Sequence, residues 1–516
     1  MPSKTSKQIN VAVIGSGLAG LSAAYLLSEN KDVEVHLFEK NTSLGMDAAS
    51  ISIGPEKNFR IDVPMRSYMS GYYSHLSKLY EHLQIPAKRA RFSFGWYRIM
   101  QSKRLSKPVP ASQVASFTEN HAYLVYSGSR TIGRLGTVAT KAQNQLAQLM
   151  QQCWQSIIIA YSYLWLMCIA LWSYYRGHLE NPDHSLCNMT LGDFFKRYYI
   201  HPYFAHEIFV PLFAAVCTNS YQSMLSYPAS DILEYMAMGL FQESYVAGCG
   251  VQQVVKTMSA PLQHVHLETQ ITAIQPNPNR KHRFLLIDEH DTQYDFDHII
   301  FATQGNQACS MLSSYADALK PTSFDQFDQY KSEIRQVEEQ MQVLKQFEYD
   351  TALVINHTDT RLLPSNPDHW KALNLAKVDK RVDPGHSDLI IPYPHDTTMT
   401  THILNMTHNM EKCNEGNIIY MQTTNPCIAV DPKKVLSVAW FERATVTLNS
   451  KRALSQLFIN ENKCWTLGPC QGQNGFWFVG SYCWKGIPLL EGCVASAEHV
   501  AQGIAQAENI HIQRQW

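Results

Sequence analysis

The amino-acid sequence predicts an α/β fold, and three stretches carry that prediction. The first is VAVIGSGLAGLSAAYLL, residues 11–27, where an apolar run enters glycines spaced G-x-G-x-x-G at Gly15, Gly17 and Gly20 and continues as a helical pattern. The second is VEVHLFEK, residues 33–40, an apolar run ending on Glu39 and Lys40. The third is GFWFVGSYCWKGIPLLEGCVASAEHVAQGI, residues 475–504, which reads as a strand, a turn at Gly480, a loop and a helix opening near Gly492. Strand, helix and strand joined by short turns are the sequence form of a parallel sheet covered by helices.

Each element follows from its residues. Val11, Val13 and Ile14 make a strand buried on both faces. Gly15 permits a tight turn, Gly17 lets the backbone approach a pyrophosphate, and Gly20 lets helix and strand pack closely. Ser16, Leu18 and Ala19 complete the turn, and the helix that begins there offers free N–H groups and a positive dipole end to phosphates. Glu39 falls where a Rossmann βαβ unit puts the acid that accepts hydrogen bonds from ribose hydroxyls. A carboxylate there would repel a 2′-phosphate, which disfavours NADP and leaves NAD or FAD. The stretch LGMDAASISI close behind Glu39 and the C-terminal strand and helix decide for FAD. The N-terminus of that last helix can stabilise negative charge on a reduced flavin ring.

Composition bounds the rest. A chain of 516 residues is too long for one core, and 45% apolar with 17% charged residues describes a globular protein. The net charge of −1 and the lack of any long Lys/Arg run exclude nucleic acid as a partner. The 12 cysteines are scattered and read as reduced thiols. The polar start, MPSKTSKQIN, leads directly into a strand, so no secretory signal is expected and the location is intracellular, either cytoplasmic or peripheral to a membrane. The 21 histidines do not cluster at metal-ligand spacing, so no metal is expected. From Ala142 to Tyr175 no residue is charged, and IIIAYSYLWLMCIALW fills 157–172. Sixteen helical residues rise about 24 Å, short of a hydrocarbon core of roughly 30 Å. Such a helix suits peripheral membrane contact or the lining of an apolar channel, and a buried core helix would have the same composition.

Further segments carry a family resemblance. They are TLGDFF, VPLFAAVCTNSYQSMLSYPASDIL, GCGVQQVVKTMSAPL followed by HVHLETQITAI, FDHIIFATQGNQACSML, and FEYDTALVINHTDTRLLPSNPDHWKALN. In their order and spacing, through nearly the whole chain, it resembles the flavin-containing amine oxidase superfamily. Within that superfamily it is most similar to the branch of predicted FAD/NAD-binding oxidoreductases found beside cyclopropane-fatty-acid-synthase-like methyltransferases. The resemblance implies an amine-oxidase-like, Rossmann-type FAD-binding domain interleaved with an α+β substrate domain. The first would take 1–70, 245–320 and 455–510, the second 71–244 and 321–454. The resemblance also implies cofactor contacts at Gly45, Ile271, Ala302, Gly480, Ser481 and Gly492. The chain departs from the family pattern where Met46 and Asp47 follow Gly45, at the D-x-G position written Asp62-Val63-Pro64, and at Ser481, where many relatives carry an acid.

A flavin carries the electrons itself, so few protein groups need stand out. The candidates for acid/base work are His357 with Asp359, and Glu491; each also reads as a structural group. Cys483 lies near the expected flavin face, and Tyr482 and Trp484 could shape an aromatic pocket there. The expected function is removal of a hydride from a C–H bond, of an apolar, lipid or unsaturated fatty acyl substrate, as desaturation or isomerisation. A true amine oxidase using oxygen and a non-catalytic flavin- or lipid-binding protein are the alternatives. Oligomeric state is open.

Overall fold

Strand Ile9–Ile14 lies at the centre of a five-stranded, wholly parallel sheet. The protein is described by a computed structural model covering residues 8–54, 59–90, 92–101, 118–127, 135–138, 145–277, 283–320, 327–378, 399–408, 418–461, 464–513 and 516. In spatial order the sheet runs His264–His266, Val33–Phe38, Ile9–Ile14, His298–Phe301 and Phe476–Phe478. Val11, Val13, Leu37, Ile299, Ile300 and Phe478 are fully buried, as strands covered on both faces require. Helix Leu18–Ser28 and the C-terminal helix Leu490–Ala507 pack on each other beside this sheet. An antiparallel hairpin layer, Ile271–Pro276, Phe284–Asp288 and Gln293–Phe296, is a separate three-stranded sheet.

The second unit is built on an eight-stranded mixed sheet, antiparallel except where Leu373–Val378 pairs with Phe94–Gln101. Helices between 145 and 239 cover part of it with their own core around Phe194, Val210, Tyr227 and Leu233. The mixed α/β fold expected from the sequence is the fold observed. The first core extends past residues 70 and 320, because helices Ser74–His82 and Phe327–Leu344 also pack on it. Residues 1–7 and 142–144, which belong to the polar start and the uncharged stretch, lie outside the described residues.

The uncharged stretch folds as one helix, Gln145–Tyr175, of 31 residues and about 46 Å. The expectation that 157–172 is too short to span a hydrocarbon core is therefore corrected. Gln, Ser and Cys between the apolar residues are uncharged and extend the helix well beyond the apolar run. The helix is long and apolar enough to cross a membrane by length and composition. Its packing is one-sided. Ile159, Leu166, Met167 and Ala170 are buried, whereas Leu146, Met150, Trp154, Ile157, Tyr161, Leu164 and Trp172 stand exposed along the other face.

Candidate dinucleotide site

The three glycines of the turn are spaced alike in sequence but do different work. Gly15 has φ +100°, a left-handed conformation that side chains disfavour, and its N–H bonds the Phe38 carbonyl at 2.9 Å. A Cβ on Gly20 would lie 1.9 Å from the Gly15 carbonyl oxygen and 3.0 Å from the Ala302 Cβ, so helix and strands touch there. A Cβ on Gly17 would meet nothing within 4 Å. Gly17 opens instead on a cavity of about 1020 Å³.

The wall of that cavity collects residues from distant parts of the chain. Gly15, Ser16, Gly17, Leu18 and Ala19 form one end, with Glu39 and Lys40 beside them. Ile271, Ala302, Gly480 and Ser481 line it further on. Gly20, Gly45 and Gly492 are behind the wall and serve packing. A Cβ on Gly45 would lie 2.5 Å from the Ser16 carbonyl oxygen, and one on Gly492 would lie 2.9 Å from the Trp484 Cβ.

Glu39 is buried and organises the turn. One carboxylate oxygen accepts from the Ser16 N–H at 3.2 Å and its hydroxyl at 2.5 Å; the other accepts from the Asn41 N–H at 3.0 Å and its side-chain amide at 2.5 Å. The Ser16 hydroxyl in turn accepts from the Gly45 N–H at 2.7 Å. Asp47, the acid after Gly45 and Met46, is neutralised in a two-point contact with Arg60, at 3.0 and 2.7 Å.

Two arginines in the cavity wall had no signal in the sequence. Arg66 donates to the Met46 carbonyl at 3.0 Å, one residue from the Gly45 that packs on the glycine turn. Arg443 comes from the long strand Val435–Thr445 of the other unit and stacks on Phe441. The Nε of each is buried without a hydrogen-bond partner. Burial, then the nearby charge of Arg66, pull the Arg443 guanidinium down to about 10. Both charges act on the Cys493 thiol, which hydrogen-bonds backbone at Ala19 and Ser481 and which burial nevertheless pushes up to about 11. Desolvated cations with spare donors call for an anion. The N-terminus of helix Leu18–Ser28, two guanidiniums and an unfilled approach at Gly17 fit the diphosphate of a dinucleotide.

The acid/base candidates lie elsewhere. His357 is fully buried at the end of strand Glu348–His357 and does not line the cavity. Its Nδ1 accepts from the Asp359 N–H at 3.0 Å and its Nε2 bonds the Thr423 hydroxyl at 2.7 Å. Burial drives its pKa down to about 4, so the ring is neutral. Burial alone would raise the Asp359 carboxyl. Hydrogen bonds from the Arg361 guanidinium (2.6 Å at the closest) and the Asp431 N–H outweigh it and hold the group at about 2. These two residues clamp a strand end and do not form an acid/base pair, because their side chains are saturated within the fold. Glu491 likewise turns away from the cavity. It accepts from the N–H groups of His75 at 2.9 Å and Leu76 at 3.1 Å, and from the His75 Nδ1 at 2.7 Å, capping helix Ser74–His82. Tyr482 lines the cavity; Cys483 and Trp484 are buried outside it.

The expectation that histidines do not cluster also changes. Glu34, His36 and His264 converge at the edge of the parallel sheet. A separation of 228 positions hides a pair of histidines that strand adjacency brings together. The eleven described cysteines are all free.

Comparison with known proteins agrees with this architecture. Residues 13–83 match the family model of an NAD(P)-binding Rossmann-like domain. No curated protein matches the sequence. Among solved structures, an oxidoreductase from Methanosarcina mazei is similar at 13% identity and TM-score 0.53, covering 96% of this chain and 100% of that one. A CLA-producing fatty acid isomerase from P. acnes has 12% identity and TM-score 0.56, covering 97% and 99%. Cyclohexylamine oxidase from Brevibacterium oxydans IH-35A has 12% identity and TM-score 0.53, covering 97% and 100%. The chain is thus a mixed α/β protein with a Rossmann-like nucleotide-binding domain and an amine-oxidase-like fold.

Proposed function

We propose that the protein is an FAD-dependent oxidoreductase that removes a hydride from a C–H bond of an apolar or fatty acyl substrate, giving desaturation where the neighbouring proton is then lost to water or isomerisation where the hydride returns. The observation that supports this reading best is the charge inventory of the cavity. Among the described residues its wall holds one carboxylate, Glu39, at the nucleotide end, against the cations Lys40, Arg66 and Arg443. Among the described residues no acidic partner for a cationic amine lines the far end, where Phe94, Leu212, Ala215, Val216 and Leu373 supply apolar surface. When bound, the flavin supplies hydride acceptance. The chain's residues supply position and dryness. Glu39 and Ser16 hold the ribose end, Gly17 leaves room for the phosphates, and Arg66 and Arg443 offer them charge-assisted donors. The N-terminus of helix Leu490–Ala507, with Leu489 and Leu490 in the wall, would meet the ring end and favour negative charge there.

The exposed face of helix Gln145–Tyr175 supports membrane contact as the source of an apolar substrate. On the cavity side, Phe94 lines the wall and stacks on Tyr126.

The test is optical. Protein purified whole, or supplied with FAD, should show the two visible bands of oxidised flavin, and these should bleach anaerobically with a fatty acyl substrate and not with a primary amine. Colourless protein that takes up no FAD ends the flavin reading. Bleaching by amines alone makes it an amine oxidase, and a stable flavin that nothing reduces makes it a binding protein.

A further inference from the structure

A second cluster of chemistry-bearing side chains lies at the edge of the parallel sheet, and none of its members lines the dinucleotide cavity. It begins as two short alternations in sequence, Glu34-x-His36 and His264-x-His266. Residues two apart on a strand share a face. The strands Val33–Phe38 and His264–His266 are parallel neighbours with His36 opposite His264. All four side chains therefore gather on one face, against the hairpin layer, where Phe296 packs edge-on to His36 and Tyr294 edge-on to His266.

The geometry is that of a ligand set. One Glu34 carboxylate oxygen stands 3.3 Å from the His36 Nε2 and 3.0 Å from the His264 Nε2. Around a tetrahedral ion with metal–N and metal–O bonds of about 2.0–2.2 Å, ligand atoms stand roughly 3.3 Å apart. The imidazoles of His36 and His264 stack at 4.3 Å and 12°, and the three ligand atoms lie within 4.8 Å of one another. His36 is fixed from behind, its Nδ1 meeting the His266 Nε2 at 3.0 Å. Metal-bound histidines use such an outer partner to set tautomer and ring direction. The three ligand side chains keep 17 to 38% of their surface exposed, so an ion can enter from solvent.

We propose that Glu34, His36 and His264 bind a divalent transition metal of the zinc class, with His266 as the residue that positions His36. Two imidazoles and one carboxylate are a borderline N/O donor set that selects zinc, cobalt, nickel or copper over magnesium and calcium. Three protein ligands leave a fourth position for water or an exogenous group. The site is independent of the dinucleotide reading and stands or falls without it.

The experiment uses tag-free, full-length protein stripped with a chelator and titrated with Co2+ and then Zn2+. One equivalent of Co2+ should give the intense visible absorption of a four- or five-coordinate centre, and Zn2+ should displace it. Zn2+ should also raise the thermal midpoint. Glu34→Gln and His264→Gln should abolish the cobalt spectrum and the thermal shift. His266→Gln should keep a cobalt spectrum and weaken binding by about 10–100-fold, the effect usual for an outer partner. The proposal is overturned if wild-type protein shows only the weak spectrum of six-coordinate cobalt, or if the ligand substitutions leave the titration unchanged. The wild-type spectrum alone decides the coordination, so a variant that fails to fold does not remove the test.

Discussion

Gly17 and Gly20 stand three residues apart in one motif, and only one of them is needed by the fold. A side chain on Gly20 collides with backbone, the Gly15 carbonyl, whereas one on Gly17 enters open cavity. Gly20→Val should therefore unfold or strongly destabilise the protein. Gly17→Val should leave the ligand-free melting curve unchanged within experimental error and abolish dinucleotide uptake; equal melting losses in both would place the phosphates elsewhere. His357 permits a second residue-scale prediction. Burial lowers its pKa from 6.5 to about 4, so between those pH values the unfolded chain binds more protons and stability falls as pH drops. The neutral ring's contribution, about 3 kcal/mol by linkage, is complete above pH 6.5 and lost by pH 4. In urea unfolding, the stability gap between wild type and His357→Gln should shrink by that order from pH 7 to pH 4. A gap that does not vary with pH refutes the assignment. Local motifs were legible at this scale because Gly15, Gly17, Gly20 and Glu39 act on neighbours within a few dozen residues. Arg66, Arg443 and the pair His36–His264 were not, because their meaning lies in partners hundreds of residues away. His357 and Asp359 attracted attention as chemistry, but saturation by Thr423, Arg361 and Asp431 could be seen only in the fold.

At the scale of elements, helix Gln145–Tyr175 shows what an apolar run does and does not reveal. Residues 157–172 disclosed the composition but not the length, since the helix continues through uncharged Gln, Ser and Cys on its N-terminal side. Nor could the run say which face is covered. Leu164 is 62% exposed and Leu166 is fully buried, two positions apart. That contrast yields a paired test. Leu166→Lys buries an unpaired charge and should cost several kcal/mol, enough to lose the folded state. Leu164→Lys should change stability by less than about 0.5 kcal/mol, retain dinucleotide uptake, and reduce flotation of the protein with liposomes. If wild-type protein never floats with lipid, the exposed face is not a membrane surface. If Leu164→Lys unfolds the protein, that face is covered by something other than lipid. The C-terminal helix teaches the complementary lesson. Glu491 in its first turn is an acid/base candidate by sequence, but its carboxylate serves the N-terminus of helix Ser74–His82, a neighbour absent from the local pattern.

The whole molecule is tied together by its discontinuity. The central sheet takes strands from the first 40 residues, from 264–301 and from 476–478, so the sheet cannot close until almost the entire chain is present. The parallel sheet was legible from its first βαβ unit; its closure came through the family resemblance, because strand order is not written in any one segment. The cavity lies where both units meet, with Arg66 contributed by one and Arg443 by the long strand of the other. The desolvated Arg443 guanidinium, set beside the like charge of Arg66, weakens the ligand-free protein, and an anion that binds only the folded state strengthens it. Adding FAD at 100 times its dissociation constant should stabilise the protein by about 2.7 kcal/mol, as mass action requires. Arg443→Met should shift these quantities in opposite directions. It should raise the ligand-free melting temperature, by removing an unpaired buried charge, and weaken FAD binding by about 10–100-fold, the scale of charge-assisted hydrogen bonds. A merely structural arginine would lose stability on substitution and leave affinity unchanged. Calorimetry of the wild type and the variant, each with and without FAD, separates the two, and a variant less stable than wild type but equally tight for FAD would exclude Arg443 from the anion site.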